Sequence, residues 1–443
     1  LFRDRRDNRF QNRATRATIR GMTLSASGSP SYRAWAAFLL GCGCFAYAFL
    51  QRVAPSVMTE ELMRAFAVGA GALGSLSAFY FYAYAGIQMP IGVLMDRFGP
   101  RRMLSGAMLA CLLGSVIFAS AESLGIASVG RAMIGAATAF AYVGTMTIAA
   151  TWFPARRFSL LVGILQSVGM AGAIAGQAPL SLVVEASGWR ETLIGLGIAG
   201  AALAVLIFLI VQETPAEQRD ARRASGMGRS AFADVLRRRD SWACAVLGFT
   251  LTAPMLSFAG LWAVPWLTQT HGFSKQDAAA TASLVFVGWM VVGPAIGWLT
   301  DRMGRRKPLI LFGLIIGALS MAALIFVPDL PVAAIPILFV VNGVGGCTMI
   351  LTFTCVRETN RPSRSGAAMG FVNMCVVGSG AVYQPLIGVL LDSRWDGTML
   401  DGARVYDTDA YAFAFSTLLV SYCAGLIACW ILRETHCRQL VPD

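Results

Sequence analysis

Charge is scarce in this chain. Of its 443 residues only 14% are Asp, Glu, Lys or Arg, while 56% are hydrophobic. A soluble domain carries roughly a quarter charged residues, so an ordinary soluble fold is excluded. Histidine is rarer still, with 2 in all, and no His/Cys cluster has metal-ligand spacing. Cys42 and Cys44 stand close together but alone, and the 10 cysteines read as small buried hydrophobes. There is no nucleotide-binding loop, no nucleophile–base pair and no metal set, which argues against an enzyme and against ATP-driven transport. No cofactor and no metal are expected. The segment before the first apolar run does not read as a short cleavable signal.

Negative charge is missing from one place in particular. All 24 Asp and Glu fall in predicted loops or near predicted helix ends. The formal net charge of +12 could suggest nucleic acid, but the arginines lie between apolar runs and follow a topology rule instead.

What is present is long apolar runs. A spanning helix needs roughly 20 apolar residues, and twelve candidates occur: 34–57, 71–94, 103–121, 124–150, 158–182, 190–211, 242–268, 279–299, 308–327, 332–354, 366–391 and 410–432. These are spans 1 to 12. The longest polar interruption, Gln212 to Asp240, holds Arg219, Arg222, Arg223, Arg229 and Arg237-Arg238-Arg239. It divides the chain into six spans and six. The predicted organisation is a basic disordered tail at 1–33, a six-helix bundle at 34–212, a basic linker at 213–240, a second bundle at 241–433 and a tail at 434–443. Leu1 to Gly21 reads either as disordered or as translation upstream of a start at Met22.

Lys and Arg are unevenly shared between the two sets of loops. One set carries Arg97, Arg101, Arg102, Arg156, Arg157, the linker, Arg302, Arg305, Arg306, Lys307, Arg357, Arg361 and Arg364; the other carries Arg64, Arg190, Lys275, Arg394 and Arg404. The rich set is expected to be cytoplasmic, with both termini and the tether-like linker on that side, near anionic headgroups. The expected partners are the lipid bilayer and a small-molecule substrate, with no nucleic acid. The sequence names no coupling ion, and a monomer is expected.

The chain repeats itself. After span 2 it reads Gly92-Val-Leu-Met-Asp96-Arg97-Phe-Gly99-Pro-Arg101-Arg102, and after span 8 Gly297-Trp-Leu-Thr-Asp301-Arg302-Met-Gly304-Arg305-Arg306-Lys307. Span 5 has Gly163, Gln166 and Gln177, and span 11 has Gly370, Asn373 and Gln384 at the same spacings. These residues resemble the major facilitator superfamily, over about 34–433. Arg131-x-x-x-Gly135 and Trp152-Phe153-Pro154 also look like features of that family.

The resemblance implies an all-α membrane fold of two pseudo-symmetric six-helix bundles. It also implies that Asp96 faces the N-terminus of span 11, where the helix dipole favours an anion. Arg97, Arg101 and Arg102 then add charge pairs, and the contact closes an inner gate in one state. Gly92 is expected to allow close packing and Gly99 a tight turn. Asp301 and Arg302 are the weaker counterpart. Spans 5 and 8 are expected to pack across the boundary between halves through Gly169, Gly172, Gly176 and Gly288, Gly293, Gly297.

Ionisable residues inside a bilayer tend to be functional. Two basic residues qualify, Arg52 in span 1 and Arg131 in span 4. At 1.5 Å per residue each lies roughly 10 Å from the same end, so they are expected to share a depth. Guanidiniums without carboxylate partners suit an anion. Polar stripes at helical spacing mark further walls: Tyr80, Tyr84 and Gln88; Arg131, Gly135, Thr138, Tyr142 and Thr145; Gln166, Met170, Ala173 and Gln177; Asn373, Val377, Gly380 and Gln384; Trp262, Trp266 and Gln269. The expected substrate ligands are Arg52, Arg131, Tyr84, Gln88, Gln166, Trp266, Asn373 and Gln384. The alternative for each stripe is helix–helix hydrogen bonding.

Two branches of the family are similar. Arg52-Val-x-x-Ser56-Val looks like the organic anion:cation symporters, which carry sugar acids and related anions. Their usual Asp before this Arg is Gln51 here, and their helix-4 Glu is Thr138, so proton symport by that route loses its carriers. Phe79-Tyr-Phe-Tyr-Ala-Tyr84 with Gln88-Met-Pro90 looks like the lysosomal dipeptide carriers. The expected function is therefore transport of a small anionic or zwitterionic metabolite across a bacterial inner membrane. The alternative is a transporter-like sensor or assembly partner that does not transport.

Overall fold

The structure is a computed structural model and describes residues 32–154, 157–212, 229–327 and 330–441. The expectations for the tail 1–31 and for linker residues 213–228, with Arg219, Arg222 and Arg223, lie outside those residues, as do Arg156 and the side chains of Asp96 and Arg229.

A backbone in hydrocarbon must satisfy its own polar groups, which helices do. Eleven described helices are long and apolar enough to cross a membrane, and Ala70–Gln88 makes a twelfth when joined to Thr59–Phe66. The fold is all-α with these spans in order: Tyr32–Val57, Ala70–Gln88 and its continuation, Arg97–Ala119, Leu124–Trp152, Leu160–Ser187, Trp189–Ile210, Arg239–His271, Lys275–Met303, Lys307–Phe326, Ala334–Glu358, Pro362–Ser393 and Thr408–Ile431. They take the numbers 1 to 12 used above.

Three local features go beyond the expected pattern. Thr59–Phe66 is a helix of its own, bent 110° from Ala70–Gln88, with Leu62 and Met63 buried. Spans 2 and 3 run into one another with Gly99 as the non-helical residue between them (φ 80°, ψ 161°). Glycine alone takes that backbone angle freely, so the expected tight turn is present. Span 7 changes to π-helix over Pro254–Trp262, a form often found at functional positions.

The bundle has two ends. The basic face carries the Arg-rich loops; the far face carries the joins between spans 1 and 2, 7 and 8, and 11 and 12. Spans 2 and 11 touch at the far face and part toward the basic one. A Cβ on Gly74 would lie 2.3 Å from Gln384 O, one on Gly388 2.2 Å from Ala70 O, and one on Gly380 2.8 Å from the Phe81 ring. Farther along, a Cβ on Gly92 or Gly370 would meet nothing within 4 Å among the described residues. The close packing expected of Gly92 is therefore not made in this conformation.

The glycine faces of spans 5 and 8 also differ from expectation. The two spans do adjoin. A Cβ on Gly169, however, would strike Phe45, on Gly172 Ala46 O, and on Gly176 Val53, all in span 1; one on Gly288 would strike Val340 O of span 10. These glycines tighten contacts within a set of six spans, because each removes a Cβ where two backbones cross. Gly293 lies at ordinary contact distance from Cys347, and Gly297 faces open space.

Candidate substrate site and gates

Arg52 and Arg131 do share a depth. Arg131 is 1% exposed and aims both arms of its fork at the end of span 1, donating to Gln51 O at 2.6 Å and Arg52 O at 2.8 Å. Its guanidinium also lies 4.7 Å from the Tyr80 ring. A helix leaves its last carbonyls without partners, and Arg131 supplies them. That use is structural for the two arms, while Arg131 Nε is left without a partner.

Arg52 has no such occupation. It is 6% exposed, and its guanidinium lies 4.3 Å from the Phe49 ring, 5.2 Å from Tyr84 and 5.6 Å from Tyr80. None of the ion pairs among the described residues involves it, and its Nε has no partner. Aromatic faces attract a cation but give its Nε–H no acceptor. Tyr80 is held in turn, donating to Ala48 O at 3.2 Å and accepting from Thr138 Oγ1 at 2.8 Å. Gln51 beside it donates to Tyr47 Oη at 2.7 Å, while its Oε1 is buried without a partner.

The remaining expected ligands divide. Gln88, Gln166 and Asn373 are half-buried on spans 2, 5 and 11. Trp266 is 4% exposed inside an aromatic cluster, with ring centroids 5.6 Å from Phe258, 6.0 Å from Phe415 and 6.4 Å from Phe339. It packs in the core of the last six spans. Gln384 is fully buried; its Nε2 donates to Leu256 O at 2.8 Å and its own carbonyl accepts Trp262 Nε1 at 3.0 Å. Its Nε2 therefore holds span 7, while its Oε1 is buried without a partner. Its repeat-mate Gln177 also holds span 7, donating to Ala259 O at 3.0 Å while accepting Ser56 Oγ at 3.1 Å. Both acceptors lie in the π-helical stretch.

The far face is closed by polar contacts between the first six and the last six spans. Asp392, at the end of span 11, accepts Ala70 N at 3.1 Å and Gly71 N at 2.8 Å, the first amides of span 2. Arg404 and Tyr406 also bond Asp392 Oδ1, at 3.1 and 2.6 Å; they sit at and just after the hairpin β1 (Met399–Leu400) and β2 (Ala403–Arg404). Lys275 pairs with Glu61, and Tyr82 donates to Ala381 O at 2.9 Å near mid-span.

At the basic face Arg101 and Arg306 bond inside their own sets of spans. Arg101 donates Nε to Phe208 O at 2.7 Å and lies 4.3 Å over that ring. Arg97 lies 5.1 Å over Phe98. In the second copy of the loop, Arg306 joins Asp301 and Glu358, each at 3.0 Å, and Arg302 lies 5.4 Å over Trp298. Glu358 also accepts Thr435 Oγ1, so the C-terminal segment completes this knot. Neither Glu358 nor Thr435 stood out in the sequence; an acidic residue at the close of span 10 was the available signal.

The Major Facilitator Superfamily profile matches residues 40–385 and 255–439. The chain belongs to the major facilitator superfamily. It is a multi-pass membrane protein. Among similar proteins, the probable sulfoacetate transporter SauU of Cupriavidus necator is 25% identical over 290 residues, 60% of this chain and 65% of that protein. The chain thus spans slightly under two thirds of that relative. The lysosomal dipeptide transporter MFSD1 of Danio rerio is 23% identical over 357 residues, 77% of each chain. In fold, the chain is similar to a bacterial homolog of the human lysosomal transporter Spinster, solved inward-facing and unoccupied: TM-score 0.71, 16% identity, 91% of this chain and 97% of that one.

Proposed function

We propose that this facilitator carries a small organic anion across a bacterial cytoplasmic membrane by alternating access, with Arg52 as the ligand for the anion's charge. The basic face and both termini lie in the cytoplasm, following the Lys/Arg asymmetry. The two sets of six spans, within 34–212 and 241–433, rock against each other; the contacts at Asp392 hold the far face shut, and the loop at Asp96 closes the basic face in the other state.

The observation that carries the reading is Arg52 itself: a buried guanidinium, ringed by Phe49, Tyr80 and Tyr84, with a free Nε and no ion pair among the described residues. An unpaired buried charge is costly, and a carboxylate or sulfonate completes it with charge-assisted hydrogen bonds. Gln88, Gln166 and Asn373, half-buried toward the side where the spans part, contact the rest of the substrate. The anion is favoured over a dipeptide because a zwitterion's ammonium wants a carboxylate, and none pairs with the site among the described residues. A probable sulfoacetate transporter among the similar proteins is consistent with this choice.

The test is uptake into proteoliposomes of labelled sulfonates, sugar acids, aromatic acids and dipeptides. An anion should be carried, with Arg52→Ala losing at least 100-fold in kcat/KM, the scale of a lost charge-assisted pair of about 3 kcal/mol. Uptake of the carried anion that Arg52→Ala leaves intact sinks the assignment. A compound that binds yet shows no counterflow favours a sensor.

A further inference from the structure

A second anion site is built at the basic face, at the opposite end of the bundle from the Asp392 contacts. A cavity of about 280 Å³ lies between the approach to span 7 and the join of spans 10 and 11, lined by Asp234, Arg237, Arg238, Asn360, Arg361 and Arg364. Four guanidiniums thus face one carboxylate. Arg364 Nη2 lies 3.6 Å from Asp234 Oδ2, and Arg238 donates to Thr359 O at 3.3 Å. Arg237 and Arg361 have no carboxylate within 4.0 Å among the described residues. The floor is fixed, since Asn360 is 1% exposed and donates to Ser241 Oγ at 3.1 Å and Val356 O at 2.8 Å.

Trp242 sets the depth. It is 49% exposed, donates Nε1 to Leu236 O at 2.8 Å and packs edge-on to Phe371 with centroids 5.0 Å apart. An exposed tryptophan at the end of a span marks the headgroup layer, so the cavity lies at headgroup level. We infer that the cavity binds a phosphate group, and that its source is the phosphodiester of an anionic membrane lipid. Arg forks match phosphate oxygens two at a time, and basic pockets between spans on the cytoplasmic side suit lipid headgroups. A lipid also places acyl chains beside Trp242, which a soluble phosphate does not. Because Asp234, Arg237 and Arg238 precede span 7 while Arg361 and Arg364 stand at the start of span 11, the occupant ties those two segments together. This inference stands apart from the Arg52 site and does not require it.

The experiment is thermal melting of the full chain in nanodiscs of phosphatidylcholine alone, phosphatidylcholine with phosphatidylglycerol, and phosphatidylcholine with inorganic phosphate in the buffer. Phosphatidylglycerol should raise the melting midpoint by a few degrees, and Arg237→Gln with Arg361→Gln should abolish the rise. Both side chains are exposed, so the pair should fold. Arg305→Gln with Arg438→Gln, also exposed at the basic face, removes equal charge and should leave the rise in place. An equal rise with inorganic phosphate, lost in the first pair, keeps the site but assigns it to soluble phosphate. No rise with either, or a rise that both pairs abolish alike, overturns the site.

Discussion

Asp392 caps Gly71 across the boundary between the two sets of spans: its Oδ2 accepts Gly71 N at 2.8 Å while Oδ1 accepts Ala70 N at 3.1 Å. An acid at the close of span 11 thus sits on the opening dipole of span 2. The family loop implies the inverse pairing at the basic face, with Asp96 at the close of span 2 set against the opening of span 11. In the proposed cycle one electrostatic device serves both gates, used alternately.

Asp392→Asn should favour the state open at the far face. A carboxylate at a helix N-terminus contributes about 1–2 kcal/mol when partly buried, a factor of roughly 5–30 in the equilibrium. Spin labels on either side of the far face, at Glu122 and Asp396, should show the longer distance gaining population. An unchanged distance distribution refutes the latch. Arg404→Gln should act the same way more weakly, because it removes one of several partners of the same carboxylate.

Arg131→Lys should lower stability and leave substrate affinity alone. Two charge-assisted bonds to the end of span 1 are lost, and one ammonium cannot replace a fork. At about 1.5 kcal/mol or more for each, the variant should melt several degrees lower. The KM of any carried anion should stay within about threefold, whereas a residue touching the anion would shift KM by tenfold or more per 1.4 kcal/mol. A raised KM with unchanged melting returns Arg131 to the substrate.

Much of this was legible in the sequence, and the rest failed for a common physical reason. The apolar runs, the Gly99 turn and the shared depth of Arg52 and Arg131 follow from local composition and from rise per residue. The partners of Gln384, Trp266 and Gly172 do not. Helical spacing shows that residues share a face, but a polar stripe serves equally to bond a neighbouring helix or to wet a cavity. In Gln384 and Gln177 the amide meets carbonyls of a π-helical stretch in span 7, and no periodicity announces a π stretch. The Gly172 face fits its partner through Ala46 O, a contact between backbones that side-chain chemistry leaves unmarked.

Glu434 should make stability fall in acid. Burial alone would raise its pKa, but backbone N–H groups of Arg306, Lys307, His436 and Thr435 bond the carboxylate and hold it below the ordinary 4.5. A depressed folded pKa means stabilisation that is complete above the unfolded value and disappears as pH falls through the folded one. The melting difference between the native chain and Glu434→Gln should therefore be constant from neutral pH down to about 5.5 and shrink below about 4.5. A difference that is flat throughout acid shows that the charge contributes nothing.

Gln177 and Gln384 make the same bond to span 7 with different consequences. Gln384 reaches Leu256 O within the last six spans, whereas Gln177 reaches Ala259 O from the first six. Removing either takes a side-chain donor away from the π stretch, at a cost of about 0.5–1.5 kcal/mol. For Gln384→Leu that loss is common to every state in which the last six spans stay intact, so it should lower the melting midpoint without moving the far-face distances. For Gln177→Leu the bond exists only while the halves meet there. Its loss weakens the closed far face selectively, and the label pair at Glu122 and Asp396 should register a shift toward the open state with a smaller change in melting. Equal shifts in both variants would mean that span 7 moves against its own half during transport, and the rigid-body picture would have to be given up.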